Sequence, residues 1–157
     1  EFEEIFKNYN ISDDPTVYIN ITSKDIKKDA PKNCENWFVM VNAPYDKGQD
    51  WDLIVNKVRK SVIKKISRNL KVDISKDIIT EEILTPLIIQ SKTKSHLGAL
   101  YGPSSNKRLS AFFRHSNFSS DVKNLFFCGG SVHPGGGIPI CLLSAKITAE
   151  LINNIDK

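Results

Sequence analysis

Residues 124–152 read NLFFCGGSVHPGGGIPICLLSAKITAELI, and the rest of the chain is understood from this stretch outward. Leu125, Phe126, Phe127 and Cys128 form a short apolar run of strand type that leads directly into Gly129-Gly130. Four residues later Gly135-Gly136-Gly137 leads into Ile138-Pro139, and Pro139 opens a closing helix that runs to about Asn154. The order is strand, glycine turn, glycine turn, helix N-terminus. Five glycines within nine residues remove the Cβ atoms that would keep a flat ligand off the backbone, and they permit positive φ where the chain turns sharply.

The helix start narrows the chemistry of a guest. Its first NH groups have no intrahelical acceptor and carry partial positive charge, which favours an anion or a group that becomes one. Phosphate is the usual guest. The pyrimidine edge of a flavin is another, because reduction puts negative charge there. No GxxxxGK[ST] run is present, and Gly135-x-Gly137 is followed by Ile138, Pro139 and Ile140 without completing GxGxxG. A nucleotide loop of those types is therefore absent, and a glycine-rich connection that binds nothing is the alternative left open.

Upstream, Thr16 to Thr22 alternates Val17, Ile19 and Ile21 with period two and reads as a strand. Asp25 to Asn36 is a polar loop broken by Pro31. Trp37 to Asn42 is a continuous apolar run, which predicts a strand in the middle of a sheet. Asp50 can cap the following helix, in which Trp51, Ile54, Val55, Val58, Val62, Ile66 and Leu70 recur at helical spacing. Ile78 to Leu84 reads as a strand, Thr85-Pro86 as a helix start, Gly98 to Asn106 as a loop and Leu109 to Arg114 as an extended segment. Strands mixed with helices of unequal length, without regular βαβ alternation, give an α/β or mixed α+β class.

At 157 residues, with no repeat or long linker, the chain has the size of one domain with a real core. It opens on acidic residues and without an initiator Met, as a piece of a longer chain would. Three cysteines, Cys34, Cys128 and Cys141, without CxxC spacing, argue against a disulfide framework and against a metal site; none is expected. Cys128 and Cys141 read as small buried hydrophobes. A net charge of +4 is too mild to imply nucleic acid, and no apolar run reaches the roughly 20 residues of a bilayer span.

GGSVHPGGGIPICLLSAK, taken with YGPSSN and AFFRHSN upstream and NWFVMVNAP, DPTVYI and ILTP earlier, resembles the C-terminal region of bacterial phytoene desaturases and related hydroxycarotenoid 3,4-desaturases. The resemblance covers nearly the whole chain. It implies the C-terminal part of an FAD-dependent, amine-oxidase-like flavoprotein: residues 1–123 as part of the mixed sheet of the substrate-binding domain, residues 124–157 as the last strand, glycine-rich turn and helix of the FAD-binding domain. The dinucleotide-binding motif would lie in a missing N-terminal part of the same polypeptide. Gly129, Gly130, His133, Pro134, Gly135, Gly136, Gly137, Ile138 and Pro139 would then lie against the ring end of FAD. The implied reaction removes two hydrogens beside a polyene, one as hydride to the flavin, which calls for orientation and a dry apolar channel.

His133 is the titratable residue next to this turn and the weak candidate for catalysis, although a His before Pro in a tight loop also serves simply to hydrogen-bond the turn. Arg114 and His115 are weaker candidates. Phe112, Phe113, Phe118, Phe126 and Phe127 read as core more readily than as a hydrocarbon tunnel. A lipophilic carotenoid substrate implies access to a bilayer, and the helix from Asp50 to Leu70 carries Lys57, Arg59, Lys60, Lys64, Lys65 and Arg68 with no acid between them, a face suited to anionic headgroups or simply to water. A cytoplasmic protein peripheral at the inner face of the cell membrane is expected. A carotenoid isomerase, a polyene oxidase and a catalytically inactive binding module are the competing expectations.

Overall fold

The computed structural model describes residues 1–100 and 114–154. The chain divides into two compact units, Glu1–Ile88 and Ile89–Lys157, where its length suggested one domain. Helices and a small sheet coexist, as the mixed class requires. The expected extended segment at 109–114, apart from Arg114, lies outside the described residues, as do Phe112 and Phe113.

In the first unit a five-residue helix α1 (Phe2–Phe6) precedes strand β1 (Val17–Asn20), which pairs antiparallel with β2 (Phe38–Val41) in the register Val17 to Val41 and Asn20 to Phe38. The loop between them is pinned by its polar side chains. Asn36 Oδ1 accepts from the Ser23 NH at 3.0 Å, and its Nδ2 donates to Thr22 Oγ1 at 2.7 Å. Both strands sit where β-branched and aromatic residues predict them. Yet β2 is not central: Phe38, Val39 and Met40 are exposed, because a two-stranded ribbon has only one neighbour and no layer on its outer face.

Helix α2 (Trp51–Leu70) begins where expected, with Asp50 accepting from the Leu53 NH at 3.0 Å, and ends at Lys71 in the left-handed conformation. Its apolar stripe buries Trp51 and Ile54 against Ile11, with Val41 and Val58 packed around them. Leu70 is exposed. Ile78 to Leu84 is not a strand. The residues favour extension, but nothing in the described chain offers a ladder partner, and Ile79 is 83% exposed. Helix α3 (Pro86–Thr93) starts with proline at its first position, as read from the sequence.

In the second unit the described portion after α3 consists of residues 94–100, with a short helical turn at His96–Gly98, the segment 114–137 and helix α4 (Ile138–Asn153). Leu125 to Cys128 does not form a full strand. Phe126 makes a single antiparallel bridge with Phe118, and the Phe127 NH donates to the Asn117 carbonyl at 2.9 Å. Phe118 and Cys128 are exposed, contrary to the core positions expected for them.

Candidate functional site

The glycine-rich turn is built around one buried side chain. Asn117 is 4% exposed, and its Nδ2 lies within hydrogen-bonding reach of the carbonyls of Phe127 (3.2 Å) and His133 (3.0 Å) and of the hydroxyls of Ser144 (3.0 Å) and Thr148 (3.3 Å). An amide has two NH donors, so these four contacts are shared around the group. Ser144, fully buried, donates to the His133 carbonyl at 2.8 Å and accepts from the Gly129 NH at 3.1 Å. Thr148 Oγ1 lies 2.9 Å from the Phe127 carbonyl. Helix α4 is thereby tied to the residues entering the turn and to its midpoint through polar atoms, all of them satisfied, as burial demands.

This arrangement turns α4 inside out. Its inward positions are Ser144 and Thr148, while Ile138, Ile140, Leu142, Leu143 and Ile152 are exposed, Ile138 at 81%. An apolar helix normally hides those side chains.

The turn residues expected to contact a cofactor, Gly129, Gly130, His133, Pro134, Gly135, Gly136, Gly137, Ile138 and Pro139, form one continuous loop running into the first turn of α4. Gly129 (φ +121°) and Gly137 (φ +105°, ψ 143°) adopt conformations that favour glycine, and a Cβ on either would meet open space. Those two positions present bare backbone on an unobstructed side, as a flat ligand requires. Gly137 caps α4, whose first bond runs from the Cys141 NH to the Gly137 carbonyl at 2.8 Å, so the Ile138 and Ile140 NH groups have no acceptor within the helix. Pro139 has no NH to offer.

Gly135 has a further reason to be glycine. A Cβ there would lie 3.0 Å from Arg114 Nε and 3.1 Å from its Cζ, and φ is +140°. The Arg114 guanidinium occupies the place of the missing side chain and donates through Nη1 to the Gly130 carbonyl at 3.2 Å. Gly130 in turn faces Gly136 and Cys141: a Cβ on it would be 3.4 Å from Gly136 Cα and 3.5 Å from Cys141 Sγ. The two glycine turns are therefore in contact.

His133 takes part through its backbone. Its NH donates to the His115 carbonyl at 2.8 Å, its carbonyl accepts from Asn117 and Ser144, and the peptide to Pro134 is cis. His115 packs edge-on to Phe127, ring centroids 4.8 Å apart. Sequence reading missed Asn117, Ser144 and Thr148. The available signal was two small hydroxyl residues four apart on an otherwise apolar helix.

In the first unit the basic residues of α2 fall into two sets. Lys57 pairs with Asp13, Arg59 with Glu81, and Lys65 with Asp14 and the Pro15 carbonyl. Lys65 holds the Asp14 carboxyl below its usual range, with help from Arg68, and Glu81 raises the Arg59 guanidinium further. Lys60 and Lys64 on α2 and Lys71 just past its C-terminus have no such partners among the described residues and line a groove of about 560 Å³ with Ile63 and Val72. No helix among the described residues is long and apolar enough to cross a membrane.

No protein-family model matches the chain. It is 57% identical, over 98% of its length, to the 1-hydroxycarotenoid 3,4-desaturase of Flavobacterium sp. (strain P99-3). It is 35% identical over 96% of its length to the 4,4'-diapolycopene oxygenase of Methylomonas sp., and 35% identical over 97% to the 4,4'-diaponeurosporene oxygenase of Staphylococcus aureus (strain MSSA476). It spans 32%, 31% and 31% of these proteins respectively, about a third of each. The resemblance carried by the glycine-rich turn thus extends along almost every residue, and the chain belongs to the family of carotenoid desaturases and oxygenases.

Proposed function

We propose that this chain is the C-terminal part of a longer FAD-dependent oxidoreductase that desaturates a carotenoid, a 1-hydroxycarotenoid before phytoene. The observation that carries the reading is the 57% identity to a 1-hydroxycarotenoid 3,4-desaturase over 98% of the chain, joined to an open glycine cradle at the N-terminus of α4. The exposed apolar side chains of α4 support a partner surface elsewhere in the same polypeptide, and the span of about a third of the relatives supports a preceding part that supplies the dinucleotide-binding motif. On this reading residues 124–157 complete the FAD domain and residues 1–123 contribute to the substrate domain.

When bound, FAD would supply the hydride acceptor. Gly129 and Gly137 would let the ring approach the backbone, while the free NH groups at the start of α4 would favour the negative charge that accompanies reduction. Asn117, Ser144 and Thr148 would hold those backbone groups in place before the substrate arrives, so that no reorganisation is needed during the reaction. Their own polar atoms are occupied by one another and by the backbone of the turn. His133 would serve the turn through its backbone NH and carbonyl.

The reading is tested by purifying the longer polypeptide that carries this chain and determining its flavin. Stoichiometric FAD supports it; purified folded protein that neither retains nor takes up FAD rejects it. The oxygenases among the relatives favour a second reading, in which the product gains oxygen, and the mass of the product distinguishes the two.

A cytoplasmic, peripheral location at the inner membrane face completes the proposal. Its support is the group Lys60, Lys64 and Lys71, unpaired among the described residues, beside the exposed side chains of Leu70 and Val72, a combination that suits anionic headgroups over an acyl boundary.

A further inference from the structure

Arg114 is half-buried under the glycine-rich turn and touches both of its halves. Nη1 donates to the carbonyl of Gly130 in the first half, while Nε and Cζ occupy the place of a side chain at Gly135 in the second. Gly135 is buried and Gly130 lies against Gly136, so the guanidinium sits where the two halves converge. A guanidinium is planar and charged at every accessible pH, which suits it both to wedge flat against a backbone and to provide a fixed field. Lysine would give the charge without the flat wedge, and glutamine a shorter amide without the charge.

We propose that Arg114 is a positioning residue of the flavin loop with two separable roles: its shape sets the spacing of the two glycine turns, and its charge biases the bound flavin toward the reduced state. The inference rests on the flavin reading above and goes beyond it, since Arg114 acts from beneath the loop while Gly129 and Gly137 present the ligand face. At 135 both the backbone conformation and Arg114 favour glycine, whereas at 129 and 137 the backbone conformation alone does.

The test uses the longer polypeptide with FAD bound and compares wild type with R114K and R114Q by equilibrium reductive titration against a reference dye and by FAD dissociation constant. R114Q is expected to shift the oxidised-to-reduced equilibrium about tenfold toward oxidised flavin, which for a two-electron couple is about 30 mV. R114K is expected to keep the wild-type potential while binding FAD about tenfold more weakly. An R114Q protein that holds FAD at the wild-type potential overturns the charge role, and an R114K protein with wild-type affinity overturns the shape role. Should R114Q lose flavin altogether, R114K decides: an unchanged potential supports the fixed charge and a tenfold shift contradicts it. Failure of wild type itself to hold FAD is a separate result that rejects the flavin reading, and the inference with it.

Discussion

Asn117 Nδ2 and Ser144 Oγ lie 3.0 Å apart in a buried contact across 27 residues of sequence, and every polar atom around them belongs to the glycine-rich turn or its flanks. The turn is therefore tied to α4 by an amide and two hydroxyls, and the apolar side chains of that helix are left to face outward.

Removing this amide should be costly. Asn117→Ala leaves part of the hydrogen-bonding capacity of the Phe127 and His133 carbonyls unmet, and Ser144→Ala strips the Gly129 NH of its acceptor. Each is expected to lower stability by about 1–3 kcal/mol, read as a lower urea midpoint. Asn117→Asp should be at least as damaging, since it sets a carboxylate against two carbonyls. A change below about 0.5 kcal/mol, the range of ordinary surface substitutions, would show that the contacts are dispensable.

Gly137→Ala separates backbone strain from ligand access. The substitution meets no atom but forces alanine into a conformation that costs about 1–3 kcal/mol. Gly48, at φ +89° and equally open, is the control in a loop of the first unit. Both variants should lose stability, and Gly137→Ala alone should weaken FAD binding, by about tenfold, equivalent to about 1.4 kcal/mol. Equal FAD affinity in the two variants would contradict a flavin contact at Gly137.

The two basic sets on α2 should behave differently toward lipid. Reversing Lys60, Lys64 and Lys71 to Glu is expected to reduce binding to vesicles containing phosphatidylserine at least tenfold, given about 1 kcal/mol for each lysine near an anionic surface. Reversing Lys57 and Lys65, already held by Asp13 and Asp14, should reduce it less. Undiminished sedimentation of the triple variant with vesicles would remove the membrane proposal.

Acid should release one tie of α2. Lys65 depresses the Asp14 carboxyl, so the contribution of the pair is present above the ordinary Asp value of about 3.9 and is lost as pH falls through the lowered value of the folded protein. Asp14 is exposed, and the effect is accordingly small. The stability difference between wild type and Asp14→Asn should be constant above about pH 5 and shrink below the ordinary Asp range. A difference that grows on acidification would reverse the assigned sign.

Periodicity and caps made much of this legible. Asp50 capping α2, the stripe from Trp51 to Ile66, Pro86 opening α3 and the glycine run ahead of α4 can all be read from local residue chemistry. What failed depended on partners. Ile78 to Leu84 has the composition of a strand but no neighbour to pair with among the described residues, and Phe38 to Met40 have the composition of a central strand on a ribbon of two. The inversion of α4 was hidden for the related reason that apolar residues are read as inward until a buried asparagine is seen to claim the hydroxyls at 144 and 148. The contact between Arg114 and the Cα side of Gly135 has no signature in local residue chemistry, and only distance reveals it.

The central claim is that the longer polypeptide removes hydrogen from a carotenoid and passes it to flavin. It is tested by anaerobic single turnover of the purified flavoprotein with a 1-hydroxycarotenoid, following flavin absorbance and product mass together. Oxidised flavin is expected to bleach in step with formation of a product two hydrogens lighter and one double bond longer in conjugation. A product of unchanged mass, or one formed while the flavin stays oxidised, would contradict it.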